Sequence, residues 1–452
     1  MSHAQDRGNI LGTMPVNRLV LTMSSPIMIS MLMSAIYNLV DSIYVAQVSD
    51  LDFLALSYAY PVQLMMVAFC TGIGVGFNAT FAQRLGEGKG EEANQVACHG
   101  FLFYTLCWLL FLAFALLGAP LFFRLSTHDP VVARAGIQYL TICCGASIGM
   151  CMQFLTERLL QTTGHPAGFM IVQGSGAVIN VILDPILIFL FDMGVAGAAA
   201  ATVIGQISGA VIGFFLIRRI RDQFPISLSG FRFHPAITGE MCRIAAPAVL
   251  MQSLSSLMSL GLNAILNLWS ETAVWVLGVY FKLQSFVFMP VFSINNGLIS
   301  IISYNYGAGS RRRVEGAVRF GLITALATAL IGAAILWLCA SPLLTVCFAA
   351  SSQALELGVP SLRMTALAFP IASVSITLSA AFQPLGRSSC SLAISLLRQI
   401  VLLLPAALLL VWVRPQWTFL SFPAAELLSC LVSILLFRRL YRDKIALIGQ
   451  GL

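Results

Sequence analysis

Residues 96–118 read VACHGFLFYTLCWLLFLAFALLG, an apolar run that contains no Asp, Glu, Lys or Arg. A helix of about 20 apolar residues is long enough to cross the hydrocarbon core of a bilayer. Further runs of this kind lie at about residues 19–45, 53–80, 131–157, 167–191, 194–218, 241–268, 275–303, 317–340, 360–383, 390–413 and 416–437. The sequence therefore predicts an all-α integral membrane protein with twelve transmembrane helices.

The composition of the whole chain supports this prediction. Of its 452 residues, 58% are hydrophobic and 10% are charged, and the mean hydropathy is +0.89. A soluble domain carries roughly 25% charged residues, so an ordinary soluble protein is excluded. The net charge is +7, but the basic residues form short clusters between apolar runs, and we expect no nucleic-acid partner.

The distribution of Lys and Arg predicts the orientation of the chain. If the N-terminus lies inside, most of the 25 basic residues fall on the cytoplasmic side, including Arg158 at the end of the fourth span. The opposite side then carries Arg124, Arg134, Arg363 and Arg414. Because cytoplasmic loops are enriched in Lys and Arg, we expect both termini in the cytoplasm of a cell whose inner or plasma membrane holds the protein.

An internal repeat divides the chain into two halves. Residues of the same type recur 221 or 222 positions apart, as Pro26 with Pro247, Gly88 with Gly309, and Gly164 with Gly386. We predict an N-terminal six-helix lobe at 1–218, a cytoplasmic linker at 219–240 and a C-terminal six-helix lobe at 241–452. Because six is an even number, both lobes insert in the same orientation, as in a parallel repeat.

Four polar residues of the N-terminal lobe form the candidate functional site. Asp41 lies in the first span and Thr202 in the sixth, while Asn180 precedes Asp184 by one helical turn in the fifth. All four lie roughly 6–12 Å below the outer ends of their helices. Ionisable groups within a membrane are costly and mark functional sites. Their oxygen atoms suit either a proton relay or a Na⁺ site, while local hydrogen bonding without a transport role is the structural alternative.

Two prolines predict bends near this site. Pro185 follows Asp184 directly and removes the backbone hydrogen bond to the carbonyl of Val181. Pro26 has the same effect in the first span. Both prolines would leave polar backbone groups available inside the membrane.

The C-terminal lobe contains a second set of charged residues within its spans. Lys282, Arg398 and Glu426 lie in the eighth, eleventh and twelfth spans. An ion-pair network would lower the cost of burying them, and structural pairing is the favoured interpretation. The functional alternative is substrate binding, with Glu426 attracting a cation or a freed basic group accommodating an anion.

Several motifs resemble those of the multidrug and toxic compound extrusion (MATE) transporters. They are Tyr37-Asn38-Leu-Val-Asp41, Gly72-x-Gly74-x-Gly76, Arg84-Leu-Gly86-Glu-Gly88 and Asn180-Val-Ile-Leu-Asp184-Pro185. The resemblance spans nearly the whole chain and is strongest for the DinF-like and MepA-like prokaryotic branch. It implies cation coupling at Asp41, Asn180, Asp184 and Thr202. Acids that the NorM-like branch has in the seventh and tenth spans are absent from 241–268 and 360–383.

The resemblance also implies a function. A MATE-like protein is a secondary active exporter of organic cations or amphipathic compounds, driven by H⁺ or Na⁺ antiport with alternating access between two lobes. We expect no enzymatic activity and no cofactor, since residues 86–90 lack the Ser or Thr that follows the Lys of a phosphate-binding loop. The expected partners are a small-molecule substrate and membrane lipid, and the expected state is a monomer.

Two alternatives remain open at this point. A flippase for lipid-linked oligosaccharides or polysaccharides would belong to the same superfamily, but would need several basic residues for pyrophosphate. An integral-membrane enzyme would need a nucleophile and base, or a cluster of acids or histidines, at the membrane interface.

Overall fold

The computed structural model describes residues 10–48, 50–127, 129–220, 227, 231–348 and 351–449, with the side chains of 37–43, 45–48 and 50–54 outside the description. These residues form helices, turns and loops and contain no strand. In the first half of the chain the α-helices are α1 (Ile10–Thr13), α2 (Val16–Val48), α3 (Asp50–Gly86), α4 (Gly90–Ala113), α5 (Ala119–Ser126), α6 (Pro130–Gly145), α7 (Ile148–Thr162), α8 (Pro166–Pro185) and α9 (Gly194–Arg219).

The second half repeats this series of long and short helices. Its α-helices are α10 (Pro235–Asn267), α11 (Glu271–Gly307), α12 (Arg311–Leu338), α13 (Ala340–Pro342), α14 (Ser352–Ala366), α15 (Ala368–Phe382), α16 (Ser388–Leu396), α17 (Leu403–Val413) and α18 (Ser421–Leu440). The last six residues of the predicted linker, 235–240, are thus helical.

Ten helices of the described chain are long and apolar enough to cross a membrane. Two further spans are broken: α6 and α7 meet at 42°, and α14 and α15 meet at 40°. Counting each bent pair as one span gives twelve, the number that the sequence predicts. Hydropathy alone did not predict the bends, because the apolar pattern continues across them.

The internal repeat is visible in local backbone geometry. The bent pairs are the fourth span of one half and the fourth span of the other. Gly88 and Gly309 share a positive φ of 72° and 66°, and Gly164 and Gly386 share one of 83° and 73°. Glycine adopts this left-handed conformation without the steric cost that a Cβ would add. Each pair is one that the sequence repeat had matched.

The structure divides into two compact units whose limits fall at the repeated prolines. The first comprises Met1–Thr13 and Ser25–Ala246, and the second comprises Met14–Ser24 and Pro247–Leu452. The breaks therefore lie beside Pro26 and at Pro247. The beginning of α2 packs with the second unit, and the beginning of α10 packs with the first, whereas the predicted lobes placed each helix wholly in one half.

Candidate functional site

A close approach of two glycines positions the site in the first unit. A Cβ atom built on Gly205 of α9 would lie 2.6 Å from the carbonyl oxygen of Gly176 in α8 and 3.1 Å from Cβ of Asn180. No side chain fits at that distance, so the two backbones pack directly against each other. This contact brings the polar residues of α8 and α9 within hydrogen-bonding range.

Three of the four predicted site residues form one hydrogen-bonded cluster. Asn180 Nδ2 donates to Asp184 Oδ1 over 3.3 Å and to Thr202 Oγ1 over 3.4 Å. Thr202 Oγ1 in turn donates to the backbone carbonyl of Ala198 at 3.0 Å. Asp184 is 0% exposed and Asn180 is 3% exposed. The carboxyl group and the amide therefore lie in the interior of the first unit, and the hydroxyl of the partly buried Thr202 lies beside them.

One oxygen of this cluster is free to bind a cation or a proton donor. Asn180 Oδ1 is buried and accepts no hydrogen bond from any described residue. An unsatisfied buried acceptor costs free energy, so a ligand that supplies positive charge or a donor would stabilise it. Carboxylate, amide and hydroxyl oxygens are also the ligands that hard cations prefer. The donor set of Asp184, Asn180 and Thr202 therefore fits Na⁺ as well as a proton.

Asp41, the fourth predicted residue, has its side chain outside the described part of the structure. Its helix nevertheless contacts α8 and the π-helical turn that follows α8, Ile186–Leu190, at one described point each. Gln173 of α8 hydrogen-bonds through Nε2 to Ser34 Oγ of α2, and the rings of Tyr44 and Phe189 lie 6.1 Å apart. In the chain, Asp41 lies between Ser34 and Tyr44. Asn180 and Asp184 lie between Gln173 and Phe189, which are the residues that Ser34 and Tyr44 contact.

Both predicted helix-bending prolines lie within helices. Pro26 is inside α2, where Ser30 Oγ donates to its carbonyl oxygen at 2.8 Å. Pro185 is the last residue of α8, and a π-helical turn, Ile186–Leu190, follows it directly. The helical hydrogen-bond pattern therefore changes at Ile186, two residues after Asp184, where the sequence predicted a disturbed helix.

Two charged residues of α7 were missed by the sequence analysis. Arg158 was predicted on the cytoplasmic side, at the end of the fourth span; the structure shows that it is buried, with 5% of its surface exposed, and that the preceding Glu157 is 2% exposed. The apolar pattern did not predict this burial, because it does not show that α7 continues to Thr162 and packs among α3, α4, α8 and α9. The spacing of Gln153, Glu157 and Gln161, one helical turn apart, is the sequence signal that could have revealed a polar face.

The charged residues of the C-terminal half do not all meet. Arg398 Nη1 lies 3.5 Å from Glu426 Oε1. Lys282 lies instead over the ring of Phe348, with Nζ 5.9 Å from the ring centroid. Glu426 Oε2 is buried without a hydrogen-bond partner among the described residues. The structure thus brings together two residues of the predicted network, and the role of all three stays a prediction.

Three thiols are the one group of described His, Cys, Asp and Glu side chains spaced closely enough to bind a metal ion. The sulfur atoms of Cys70, Cys107 and Cys151 all lie within 4.8 Å of one another. They are buried in the apolar core of the first unit, where Tyr104 Oη donates to the carbonyl oxygen of Cys70 at 3.0 Å. They contribute to the packing of helices in this core.

Both halves of the chain match one known protein family. The MatE family model matches residues 26–186 and 247–409. The chain belongs to the MatE family. The two matched ranges begin at Pro26 and Pro247, the same pair that starts the internal repeat. The family consists of MATE transporters, so the alternative of a membrane enzyme is wrong.

Individual relatives agree with this assignment. An FAD transporter of Shewanella oneidensis is 26% identical to this chain over 416 residues, which is 90% of each protein. The multidrug export protein MepA of Staphylococcus aureus is 25% identical over 311 residues, 66% of each protein. Their names differ in substrate, so similarity alone leaves the substrate class of this chain undecided.

Solved structures confirm the predicted fold. An outward-facing multidrug resistance MATE transporter of the MOP superfamily superposes with a TM-score of 0.89 at 21% identity, over 98% of this chain and 99% of that one. A MOP superfamily transporter from Pyrococcus furiosus, described as having a binding pocket of reverse polarity, superposes with a TM-score of 0.88 at 22% identity and the same coverage. The chain is a multi-pass membrane protein with the twelve-helix MATE fold.

Proposed function

We propose that this MATE protein is a secondary active exporter of organic cations or amphipathic compounds, driven by H⁺ or Na⁺ antiport. The observation that carries the proposal is the buried cluster of Asp184, Asn180 and Thr202, with the unpartnered acceptor Asn180 Oδ1. A carboxyl group enclosed by protein within the membrane is expensive unless it binds a cation or a proton. The cluster therefore supplies a site whose charge changes when the coupling ion binds.

Asp41 completes the proposed coupling site. The contacts Ser34 with Gln173 and Tyr44 with Phe189 run in the same order along α2 and along α8 with its following π-helical turn, so the two segments are parallel here. Asp41 follows Ser34 by two helical turns, as Asn180 follows Gln173 by two turns. This equal spacing supports placing the first-span acid at the level of the fifth-span amide.

The ion-coupled cycle follows from these groups. When the ion binds from outside, the negative charge at Asp41 and Asp184 is neutralised, and α2 and α8 are free to rearrange. Release to the inside restores the charge and returns the protein to its starting state. A ligand shifts a conformational equilibrium only by its difference in affinity for the two states, so the cluster must bind the ion more tightly in one of them.

The remaining features of the proposal concern placement and partners. We place the protein in the inner or plasma membrane as a monomer, with both termini in the cytoplasm, because most Lys and Arg residues then lie inside. Lipid and a small-molecule substrate are its partners, and H⁺ or Na⁺ replaces any cofactor as the source of driving force.

A second candidate substrate is an anionic flavin nucleotide. The FAD transporter of Shewanella oneidensis aligns with 90% of this chain, and Lys282 and Arg398 supply positive charge inside the spans of the C-terminal half. Basic side chains recognise phosphate groups. The same charges would serve a flippase for a pyrophosphate-linked lipid, but two basic residues favour a soluble anion over that larger headgroup.

Transport by the purified protein in proteoliposomes tests these proposals. A pH gradient and a Na⁺ gradient are imposed separately, and ethidium and FAD are offered separately as substrates. Ethidium transport driven by either ion gradient supports the cation exporter. FAD transport driven by either gradient supports the second candidate. If neither compound moves faster than through protein-free vesicles under either gradient, the proposed antiport is contradicted.

A further inference from the structure

A second buried carboxyl group lies in the first unit, apart from the cluster around Asp184. Glu157 of α7 is 2% exposed, and its Oε1 accepts a hydrogen bond from Gln153 Nε2 over 3.0 Å. An acidic side chain buried in a membrane-spanning helix is costly and is retained where it serves a function. The coupling cluster does not include it.

Hydrogen bonds extend from Glu157 across three helices. Gln153 Nε2 also donates to Oε1 of Gln173 in α8 at 2.9 Å. Gln173 in turn hydrogen-bonds through Nε2 to Ser34 of α2. These polar side chains thus form a continuous hydrogen-bonded chain from α7 through α8 to α2, the helix that carries Asp41.

The two contacting glycines lie between these hydrogen-bonded side chains and the coupling cluster. A Cβ atom built on Gly176 would lie 3.7 Å from Gln153 Nε2, and one built on Gly205 would lie 3.1 Å from Cβ of Asn180. Because glycine has no side chain, these two residues place only backbone atoms there. One turn of α8, about 6 Å, separates Gly176 from Asn180, and water in that gap would connect Gln153 with Asn180.

The charged group that acts on Glu157 is the guanidinium of Arg158, the next residue of the same helix. Arg158 Nη1 donates to Gln161 Oε1 at 2.9 Å. On the side of α8 and α9, Gln153 faces Gln173, Gly176 and Gly209. The surroundings of Glu157 therefore offer amides and backbone, with the Arg158 guanidinium on the adjacent residue.

We propose that Glu157 is a second protonation site, which receives the coupling proton from Asp184 and releases it to the cytoplasm. The inference rests on the proposed function in its proton-coupled form. Protonated Asp184 loses H⁺ to water ordered by Asn180 and Gln153, and the water delivers H⁺ to the Glu157 carboxylate. Asp184 is then ionised and Glu157 neutral. Glu157 next releases H⁺ towards the cytoplasm, which in the proposed orientation lies beyond the end of α7 at Thr162, about 8 Å along the helix axis from Glu157.

Measuring two modes of transport by the same protein distinguishes a protonation role of Glu157 from a structural role. Gradient-driven transport requires a net proton movement, whereas exchange of labelled for unlabelled ethidium at equal pH requires only substrate movement. For Glu157→Gln we expect the pH-driven rate to fall at least about tenfold, while exchange stays within about twofold of the wild type. Glu157→Asp, which keeps a carboxyl group, should retain most of the driven rate with an altered pH profile.

The matched control is Glu356→Gln, the same change at an exposed residue of α14, which should leave both modes unchanged. An unchanged pH-driven rate in Glu157→Gln, or an equal loss of exchange and driven transport in both Glu157 variants, would overturn the inference while leaving the exporter intact. A wild-type protein driven by Na⁺ and not by H⁺ would overturn it too. A wild-type protein driven by neither gradient would contradict the proposed function itself.

Discussion

Ser34 of α2 and Gln173 of α8 are joined by a side-chain hydrogen bond, and each precedes a residue of the proposed coupling site by two helical turns. The bond sets the register of the first span against the fifth. Asp41 and Asn180 therefore lie on helices that are aligned at a described contact. The predictions below follow from this alignment and from the packing that surrounds it.

The amide of Asn180 should govern how tightly the coupling ion binds. Asn180→Ala removes both the donor to Asp184 and the free acceptor Oδ1. We expect the ion concentration for half-maximal transport to shift by about tenfold, equivalent to roughly 1.4 kcal/mol, measured as the initial ethidium rate against H⁺ or Na⁺. Thr328→Val, a hydroxyl deletion in α12, is the control. If transport by Asn180→Ala depends on ion concentration as in the wild type, Asn180 does not contribute to ion binding.

The contact between Gly176 and Gly205 should be essential for the geometry of the cluster. Gly205→Ala places a methyl group 2.6 Å from the Gly176 carbonyl oxygen, so α8 and α9 must separate. We expect a loss of about 1–3 kcal/mol in the free energy of unfolding, detected as a lower melting temperature in detergent. Gly278→Ala, where a built Cβ meets nothing within 4 Å, is the matched control. Equal melting temperatures for the two variants would show that the contact tolerates a side chain.

The ion pair of Arg398 and Glu426 should be a structural contact of the second unit. Their side chains are 17% and 14% exposed, so removing one partner leaves the other largely desolvated. We expect Glu426→Gln to lower the free energy of unfolding by about 2 kcal/mol. The double variant Arg398→Met with Glu426→Leu should recover most of that loss.

Transport by the double variant decides between the two roles predicted for this pair. Retained export of ethidium would assign it to stability alone, while lost export by a stable protein would assign it to substrate binding. Arg414→Met, at an exposed arginine, controls for the loss of a guanidinium.

A charge cluster at the end of α3 should make stability depend on pH. Arg84 Nη2 lies 2.7 Å from Glu240 Oε2, and Arg84 and Lys89 both contact Glu87. Burial raises the pKa of Glu87, but hydrogen bonds from Gln83 and Lys89 and the charge of Arg84 outweigh burial, and its pKa is lowered overall. A lowered folded-state pKa stabilises the protein above the unfolded value of about 4.3. That stability is lost as the pH falls through the folded-state pKa.

Glu87→Gln should therefore reduce the melting temperature at neutral pH and have little effect at about pH 3. Melting curves of wild type and variant between these values check the prediction. Glu91→Gln, at an exposed neighbour, should show no such dependence. A Glu87→Gln effect that is the same at every pH would mean that the carboxylate charge contributes nothing.

The sequence predicted the twelve spans, the repeat and the residues of the α8–α9 cluster, because each depends on local pattern. Apolar length predicts a span, and helical depth brings Asp184 and Thr202 to one level. The buried pair Glu157 and Arg158 could not be predicted in this way. It lies at the end of an apolar run, where hydropathy is the same whether the helix enters water or packs among neighbours.

Tertiary packing also decided the division into units. The beginnings of α2 and α10 pack with the half of the chain to which they do not belong in sequence. The repeated residues Pro26 and Pro247 mark where this happens, but nothing in their spacing indicates the exchange. The sequence also could not show whether Lys282 contacts Arg398 and Glu426, because that depends on the direction of its side chain. The structure places Lys282 over the ring of Phe348.

The most direct test of ion coupling compares Asp41→Asn and Asp184→Asn with the wild type in proteoliposomes. Both substitutions keep the size of the side chain and remove the charge that the ion neutralises. The measurement is the initial rate of ethidium movement under the gradient that drives the wild type, normalised to the amount of folded protein. The account predicts at least a tenfold loss in each variant, and unchanged rates in both would contradict it.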